Sequence, residues 1–200
     1  MKFVYFASPM CSWCWGFSPV LQKIKKSFPD KQIRLVLTPF RIDTTQPMDD
    51  KLRNYVLGQW KKVHQATAQP FDFNFAMPKD FIYNTRLVCL AIKAFKKQLA
   101  EHELKFMHAL QESFYTQNKD LTDLEVLIEI AEKFPVDIAL LAADMQSDLL
   151  LNQLQEDFNL CQKLTVQSYP TLMSESNDNY AMLANGCANF EDVVARIEAD

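Results

Sequence analysis

The chain has 200 residues, enough for a buried core in one domain or two small ones, and its composition, 48% hydrophobic and 23% charged, is typical of a globular protein. The net charge of −4 at pH 7, with no long basic run that could neutralise phosphates, argues against nucleic acid as a partner. No stretch approaches the ~20 consecutive apolar residues that span a bilayer, so we expect no membrane segment.

The first part of the chain predicts a strand, a helix and a second strand. Residues 2–7 form a short apolar run and residues 32–38 are rich in branched side chains, and both patterns are typical of strands. Between them, apolar residues recur at helical spacing from about residue 11 or 12 to residue 28, and Pro19 is expected to kink this helix. A strand–helix–strand unit of this length implies parallel strands with a right-handed crossover.

From residue 47 to about residue 164, nearly every segment is predicted to be helical. Helices are expected over 49–66, 78–97, 101–115, 122–134 and 147–164, with a short helix after residue 137. Pro78 marks the expected start of the second of these, because proline suits the first turn of a helix. Residues 70–78, which precede it, form a break rich in aromatic side chains.

The remaining chain returns to strands and ends on a helix. A third strand is predicted over 169–173, entered through Pro170, and a fourth over 180–184, with a polar turn over 174–179. The short connection makes these two strands an antiparallel hairpin. Asn189 is expected to cap the last helix.

The order of elements is therefore βαβ, a long helical block, and ββα. Neither outer section is large enough to bury a sheet alone, so we expect them to combine into one four-stranded mixed sheet with helices on both faces. This predicts an α/β fold in which residues 1–45 and 165–200 form a discontinuous domain. Residues 46–164 would then be a large all-helical insertion domain.

Two cysteines, Cys11 and Cys14, lie where the first strand gives way to the helix. At a helix N-terminus, free backbone N–H groups and the positive end of the helix dipole favour the thiolate and lower the thiol pKa. The spacing places the second sulfur within reach of a mixed disulfide formed by the first. This pattern is typical of redox chemistry. The alternatives are half of a zinc site, which needs two further ligands, or two inert core thiols.

The order of elements and three local motifs resemble the thioredoxin superfamily, in particular its DsbA-like members with a helical insertion and, within these, the cytoplasmic FrnE-like branch. The motifs are Cys11-Ser12-Trp13-Cys14 after the first strand, Pro19 in the helix, and Tyr169-Pro170-Thr171, which is similar to the family's cis-proline loop. The resemblance implies a thioredoxin-like fold. It also implies a protein-disulfide oxidoreductase that catalyses thiol–disulfide exchange as a reductase or isomerase.

The resemblance also implies a role for each residue of the site. Cys11 would be the exposed nucleophile, and Cys14 would be the more buried resolving thiol. Pro170 would follow a cis peptide bond and face the pair, while the backbone of Tyr169 would remain free to bind an extended substrate chain. Trp13 is expected to be partly exposed and to belong to an apolar substrate-binding surface.

Two features depart from the family pattern. Relatives often place a carboxylate on the first strand beneath the resolving cysteine, but the matching residue here is Tyr5, a poor base at neutral pH. Strongly oxidising relatives have a histidine between the cysteines, whereas this chain has Ser12-Trp13. We therefore expect the pKa of Cys11 to lie toward the upper part of a range from ~3.5 to ~7, and the protein to be a reductant or isomerase.

The other three cysteines are scattered singly, which is not the pattern of a structural disulfide framework. Cys89 and Cys161 lie on apolar faces of predicted helices and are expected to be buried. Cys187 follows Gly186 and is expected in a loop, where it is a candidate for an additional reactive thiol.

Because the cysteine pair is itself the redox centre, we expect no metal and no bound organic cofactor, with glutathione as a candidate co-substrate. The expected partners are protein or low-molecular-weight disulfides and thiols, together with a reductant that recycles the pair. The short apolar run before Pro9 has no small-residue cleavage site after it, which predicts a cytoplasmic protein.

Two other functions fit the same residues. Some cytoplasmic DsbA-like relatives act as protease adaptors that bind a partner protein, with thiols in a regulatory role. Kappa-type glutathione transferases and chromene-carboxylate isomerases have similar folds with helical insertions. They generally carry serine where this chain has Cys11, so the intact pair counts against them.

Overall fold

A computed structural model describes residues 1–199 of the chain. Its strands are β1 (Lys2–Ala7), β2 (Ile33–Leu37), β3 (Thr171–Ser176) and β4 (Asn179–Asn185). The first four helices are α1 (Ser12–Ser27), α2 (Asp50–Thr67), α3 (Arg86–Leu99) and α4 (Glu103–Gln117). They are followed by α5 (Leu124–Ala131), α6 (Ile138–Asp144), α7 (Asp148–Lys163) and α8 (Phe190–Ala199). A 3-10 turn, Ala100–His102, joins α3 to α4.

The strands form one sheet in the order β2-β1-β3-β4. β1 is parallel to β2 and antiparallel to β3, and in this register Tyr5 lies opposite both Leu35 and Leu172. β3 and β4 form the predicted antiparallel hairpin. The four-stranded mixed sheet expected from the βαβ and ββα sections is confirmed.

The side chains of β1 alternate between two cores, because successive residues of a strand point to opposite faces. Phe3 and Tyr5 face the larger core, which is shared with α1 and the helical block. Val4 and Phe6 face a smaller core, where Cys161 at the end of α7 packs against them. Helices therefore cover both faces of the sheet, as predicted.

Helices α2 to α7 all lie within 46–164, the predicted insertion. One continuous core joins these helices to the sheet, since buried residues of β1, α3 and α4 belong to the same cluster. The division into two domains remains a prediction, and its last residue, 200, lies outside the described part of the chain. Within residues 1–199, no helix combines the length and the hydropathy needed to cross a bilayer.

The prediction that a helix begins at Pro78 is wrong, because α3 begins at Arg86. The segment before it makes long-range hydrogen bonds instead of helical ones. The backbone carbonyl of Phe81 accepts from the N–H of Met48, 2.8 Å away. The side-chain amide of Asn84 donates to the carbonyl of Ile42 at 3.0 Å. These bonds hold the segment against the loop that follows β2, and no local pattern in the sequence encodes them.

The turn between β3 and β4 is shorter than the predicted polar segment 174–179. β3 continues to Ser176, and the two turn residues Asn177 and Asp178 have φ of 49° and 62°. Asn and Asp tolerate this left-handed conformation, and two such residues in succession are typical of a tight hairpin turn. The polar residue Glu175 is part of the strand and pairs with Lys2 at 3.0 Å.

Candidate active site

Cys11 lies at the junction that the sequence predicts, directly before the first residue of α1. Its backbone is extended, with φ −94° and ψ 115°, which is the conformation of a helix N-cap. The neighbouring Cys14 thiol is the main cause that lowers the pKa of Cys11. The backbone N–H groups of Cys14 and Trp13 lower it further, whereas burial opposes the shift. Cys11 is therefore held in the environment of a nucleophilic thiolate.

Cys14 lies one turn into α1 and is 0% exposed, against 7% for Cys11. Cys11 is thus the more accessible thiol, but it is far less exposed than expected. Burial is the main cause that raises the pKa of Cys14 well above its usual value, and the neighbouring Cys11 adds to the shift. The opposite perturbations favour one thiolate and one thiol in the reduced pair.

Tyr5 lies beneath Cys14, at the position where relatives often carry a carboxylate. Both side chains are buried in the same core. Burial raises the pKa of Tyr5 well above that of a free phenol, so the side chain is a neutral hydroxyl at physiological pH. Tyr5 therefore shares the core of the resolving cysteine without acting as a buried base.

Tyr169 and Pro170 reach the site from the other end of the chain. The carbonyl oxygen of Tyr169 lies 3.8 Å from the sulfur of Cys11. The Tyr169–Pro170 peptide bond is cis. The carbonyl of Pro170 accepts a hydrogen bond of 2.7 Å from the N–H of Gly186 in the loop after β4. This loop carries Cys187, which is exposed.

A cavity of about 250 Å³ lies beside Cys11. Its lining residues are Met10, Cys11, Ser12, Trp13, Phe40, Arg41, Tyr55, Val56, Gln59, Trp60 and Tyr83. Trp13 is half-buried in this wall, and its indole N–H donates to the side-chain oxygen of Gln59 at 3.2 Å. We refer to this space as the substrate cavity.

Arg41 is the cationic side chain in the wall of the substrate cavity. Its guanidinium carbon lies 4.8 Å from the ring centroid of Tyr83 and 5.6 Å from that of Phe40. Its Nε is buried and finds no hydrogen-bond partner among residues 1–199. A buried cationic donor without a partner suits an anionic group.

Tyr83 anchors the helical block to the active-site turn, since its hydroxyl donates to the backbone carbonyl of Met10. Sequence reasoning missed Arg41, Gln59 and Tyr83. All three lie in the helical block or the loops that lead into it. Their approach to Cys11 depends on tertiary contacts that leave no local motif.

The remaining cysteines are placed as predicted. Cys89 and Cys161 are buried, and Cys187 lies in the loop between β4 and α8. Across the described residues, no three or more His, Cys, Asp or Glu side chains cluster closely enough to hold a metal ion.

The sequence profile of the thioredoxin family matches residues 4–195 of this chain. The chain belongs to the thioredoxin family. A crystal structure from Nitrosomonas europaea, provisionally named a protein disulfide isomerase, matches with a TM-score of 0.92 and 27% identity, over 100% of this chain and 97% of that one. The cytosolic disulfide reductase DsbM from Pseudomonas aeruginosa matches with a TM-score of 0.84 and 21% identity, over 100% of this chain and 98% of that one. These neighbours confirm the predicted thioredoxin-like fold of the DsbA-like type.

The curated relatives are named as adapter proteins, in contrast to the disulfide-exchange proteins among the solved structures. The ClpXP adapter protein SpxH of Bacillus subtilis is 26% identical over 175 residues, which cover 86% of this chain and 57% of the relative. SpxH of Halalkalibacterium halodurans is 24% identical over 179 residues, which cover 87% of this chain and 58% of the relative. The chain therefore spans less than two thirds of the length of these relatives.

Proposed function

We propose that this protein is a thiol–disulfide oxidoreductase that acts as a disulfide reductase or isomerase through Cys11 and Cys14. The observation that carries the proposal is that Cys11 lies at the N-cap of α1 with Cys14 fully buried one turn away, and that the pKa of Cys11 is lowered while that of Cys14 is raised. The thiol with the lowered pKa ionises more readily and is the nucleophile, whereas the raised pKa of its partner keeps that thiol protonated. The disulfide-exchange proteins among the structural neighbours support the same reaction class.

The reaction proceeds in two exchange steps. The Cys11 thiolate attacks one sulfur of a substrate disulfide, that S–S bond breaks, and the departing thiolate takes a proton from solvent. Cys14 then loses its proton and attacks the sulfur of Cys11. The bond between Cys11 and the substrate breaks, so the substrate gains two electrons in total and the pair becomes a disulfide. A recycling reductant restores the dithiol, and the same steps in reverse isomerise or oxidise.

For protein substrates, Trp13, Tyr169 and Pro170 form the binding surface. The Tyr169 carbonyl lies beside the reacting sulfur, so an extended chain that pairs with this backbone would bring its disulfide to Cys11. Trp13 supplies an apolar contact at the rim of the substrate cavity.

Low-molecular-weight disulfides are the second substrate class, with glutathione as co-substrate. The support is Arg41, whose guanidinium lines the substrate cavity and suits a carboxylate next to the disulfide. A structure of DsbM named as containing GSH, with a TM-score of 0.82 and 19% identity, is a further reason to test this tripeptide. DsbM is also named a cytosolic protein, which agrees with the cytoplasmic location that we propose here.

The test is capture of the mixed disulfide with Cys14→Ser. Without the resolving thiol, Cys11 should retain glutathione or a substrate protein, giving an adduct that is visible on a non-reducing gel or by intact mass and is lost with dithiothreitol. Cys11→Ser is the matched control and should give no adduct at this site. The absence of any reductant-sensitive adduct on Cys14→Ser would reject the mechanism.

A second candidate function is that of an adaptor, which the SpxH relatives favour. In this role the chain would bind a protein partner, with the thiols as regulators of binding. Replacing both Cys11 and Cys14 by serine separates the two functions. An adaptor would still bind its partner, whereas an oxidoreductase would lose turnover completely.

A further inference from the structure

A second cavity, of about 400 Å³, lies between α1 and α4 and is separate from the substrate cavity. Its α1 wall includes Leu21 and Lys25, and its α4 wall includes Leu104, Met107 and Gln111. On each helix these residues are three, four or seven positions apart and therefore share one face. From Leu104 to Gln111 the helix rises ~10 Å, so this space, which we call the α1–α4 cavity, has the dimensions of a small-molecule site.

The outer end of the α1–α4 cavity is cationic. Lys25 and Lys105 line the cavity, and both are exposed to solvent. Neither lysine forms an ion pair within residues 1–199. In the same described part of the chain, no Asp or Glu contributes to the cavity wall. An anionic group at the outer end would therefore meet two ammonium groups and no opposing carboxylate.

The inner end of the cavity has a donor without an acceptor. Gln111 is 2% exposed, and its Nε2 has no hydrogen-bond partner among the described residues. Tyr5, which also lines the cavity, is 1% exposed and lies at this buried end. Buried polar groups in folded proteins are almost always satisfied, and an unsatisfied one costs free energy. The inner end therefore favours a ligand that brings an acceptor to Gln111.

The acceptor at the inner end has to be neutral. Burial raises the pKa of Tyr5 well above its usual value and lowers the pKa of His108, which also lines the cavity, so both side chains are uncharged at neutral pH. A carboxylate at this depth would leave water without a cation to pair with, which is strongly unfavourable. At the outer end, the lysines and solvent both stabilise the charge. The two ends of the cavity therefore suit different groups of one ligand.

We propose that the α1–α4 cavity binds a small apolar carboxylic acid that carries a ketone at the end opposite its carboxylate. The carboxylate pairs with Lys25 and Lys105, the apolar body packs on Leu104 and Met107, and the ketone oxygen accepts a hydrogen bond from Gln111. An extended acid of the length of octanoate matches the distance between the two ends. This site goes beyond the proposed exchange chemistry and does not rest on it, because neither Cys11 nor Cys14 lines the cavity.

The test compares 7-oxooctanoate with octanoate, which has the same length and charge but no ketone. Affinities for the full chain in its reduced form are measured by isothermal titration calorimetry at neutral pH. The wild-type protein should bind the keto acid about fivefold more tightly, in the range that a neutral hydrogen bond contributes. In Gln111→Leu the preference should reverse, because the ketone then enters the inner end without a donor.

A second pair of variants tests the outer end. The double substitution Lys25→Gln with Lys105→Gln should weaken both acids by about fivefold, since exposed ion pairs are individually weak. The neutral methyl ester of 7-oxooctanoate should bind this variant as it binds the wild type. The matched control is Lys61→Gln with Lys62→Gln, which makes the same change in net charge at exposed positions of α2 outside the cavity. This control should bind both acids with wild-type affinity.

Each outcome decides the inference. A keto-acid preference that reverses in Gln111→Leu, together with a loss confined to the variant at Lys25 and Lys105, supports it. No binding of either acid by the wild type up to ~1 mM overturns the site. Equal affinity of the two acids for the wild type, or a preference that persists in Gln111→Leu, overturns the ketone–Gln111 contact. An equal loss in the control at Lys61 and Lys62 overturns the placement of the carboxylate. None of these failures bears on the oxidoreductase function, which the adduct on Cys14→Ser tests separately.

Discussion

At the scale of single residues, the pKa values of the Cys11 and Cys14 thiols shift in opposite directions because the two residues lie one helical turn apart. Cys11 occupies the N-cap of α1, where the backbone N–H groups of Trp13 and Cys14 help to lower the pKa of its thiol. The backbone N–H of Cys14 is already bonded to the Cys11 carbonyl at 2.9 Å, and its side chain is buried above Tyr5. Identical side chains therefore acquire different proton affinities from position alone.

Arg41 should determine preference among small disulfides. Replacing Arg41 by methionine keeps much of the apolar stem over Tyr83 but removes the cation. We expect kcat/KM for glutathione disulfide to fall by about tenfold or more, because a charge-assisted hydrogen bond contributes ~1.5–3 kcal/mol. The neutral bis(2-hydroxyethyl) disulfide should be turned over almost as before. The measurement is steady-state reduction of both substrates.

The control for this substitution is Arg34→Met. Arg34 is exposed on β2, outside the wall of the substrate cavity, so the change alters net charge equally without altering the site. Both disulfides should then react at the wild-type rate. An equal loss for the neutral and the charged disulfide in Arg41→Met would show that Arg41 supports the fold of the site and does not select the substrate.

The sequence was informative for the residues that carry local motifs and uninformative for those that do not. Cys11 and Cys14 are identified by spacing at a strand–helix junction, and Tyr5 by its position on the strand before them. Arg41 and Tyr83 are far apart in sequence and isolated in it. They meet only after the helical block packs on the active-site turn, so a sequence pattern could not have identified them.

At the scale of elements, Pro19 shapes how α1 joins the helical block. Proline has no N–H, so the carbonyl of Trp15, four residues earlier, loses its helical partner. The side-chain amide of Gln69 donates to that carbonyl at 2.8 Å and to the hydroxyl of Ser18 at 2.9 Å. The indole N–H of Trp15 in turn donates to the carbonyl of Pro70 at 3.0 Å. The segment after α2 thus satisfies the groups that Pro19 leaves open.

The contact between α1 and α2 should tolerate no side chain at Gly16. A Cβ there would lie 2.6 Å from Cγ1 of Val63, a buried residue of α2 whose branched side chain has little freedom to move. Gly16→Ala should therefore destabilise the protein by about 1–3 kcal/mol, the usual cost of overpacking. The midpoint of urea unfolding measures the change.

Gly58 in α2 provides a matched comparison. Apart from its chain neighbours and the adjacent backbone of α2, a Cβ at this position meets no atom of residues 1–199 within 4 Å. Gly58→Ala should stabilise the protein by up to ~1 kcal/mol, because alanine has the higher helix propensity. Stabilisation by both alanine substitutions would mean that α1 and α2 can separate freely, contrary to the close packing at Gly16.

The helices themselves were largely predictable, since apolar periodicity follows the buried faces. The start of α3 was not predictable from Pro78, although proline favours a first turn. The preceding backbone bonds to the loop after β2, and Arg53 donates to the carbonyls of Phe75 and Pro78 at 3.2 and 3.0 Å. These tertiary bonds override the local preference, and the helix begins only after them.

At the scale of the whole molecule, the site is assembled where three distant parts of the chain meet. The active-site turn brings Cys11, the loop before β3 brings Tyr169, and the helical block brings Tyr83. The reacting sulfur therefore depends on the fold as a whole, and the redox state of the pair should in turn affect global stability. Whether the oxidised or the reduced protein is the more stable depends on which state of the cysteine pair the fold stabilises more.

The groups that lower the pKa of Cys11 are a thiol and two backbone N–H groups, and none of them is a cation. A strong oxidant owes its potential to a reduced form that the fold stabilises. With only these contacts, we expect the disulfide to stabilise this protein. Closing a loop of four residues should contribute about 2 kcal/mol by the chain-entropy relation, or about 4–8 °C in Tm for a chain of this size.

The measurement is thermal unfolding of the oxidised and the reduced protein in a Cys187→Ser background, which removes the exposed thiol. The oxidised form should melt several degrees above the reduced form. A chain with serine at both Cys11 and Cys14 is the control, and its Tm should not respond to oxidant. If the reduced form melts higher, the fold stabilises the dithiol, and the protein would be an oxidant. That result would reverse the proposed direction of electron flow but leave the exchange chemistry of Cys11 and Cys14 unchanged, because both directions use the same mixed disulfide.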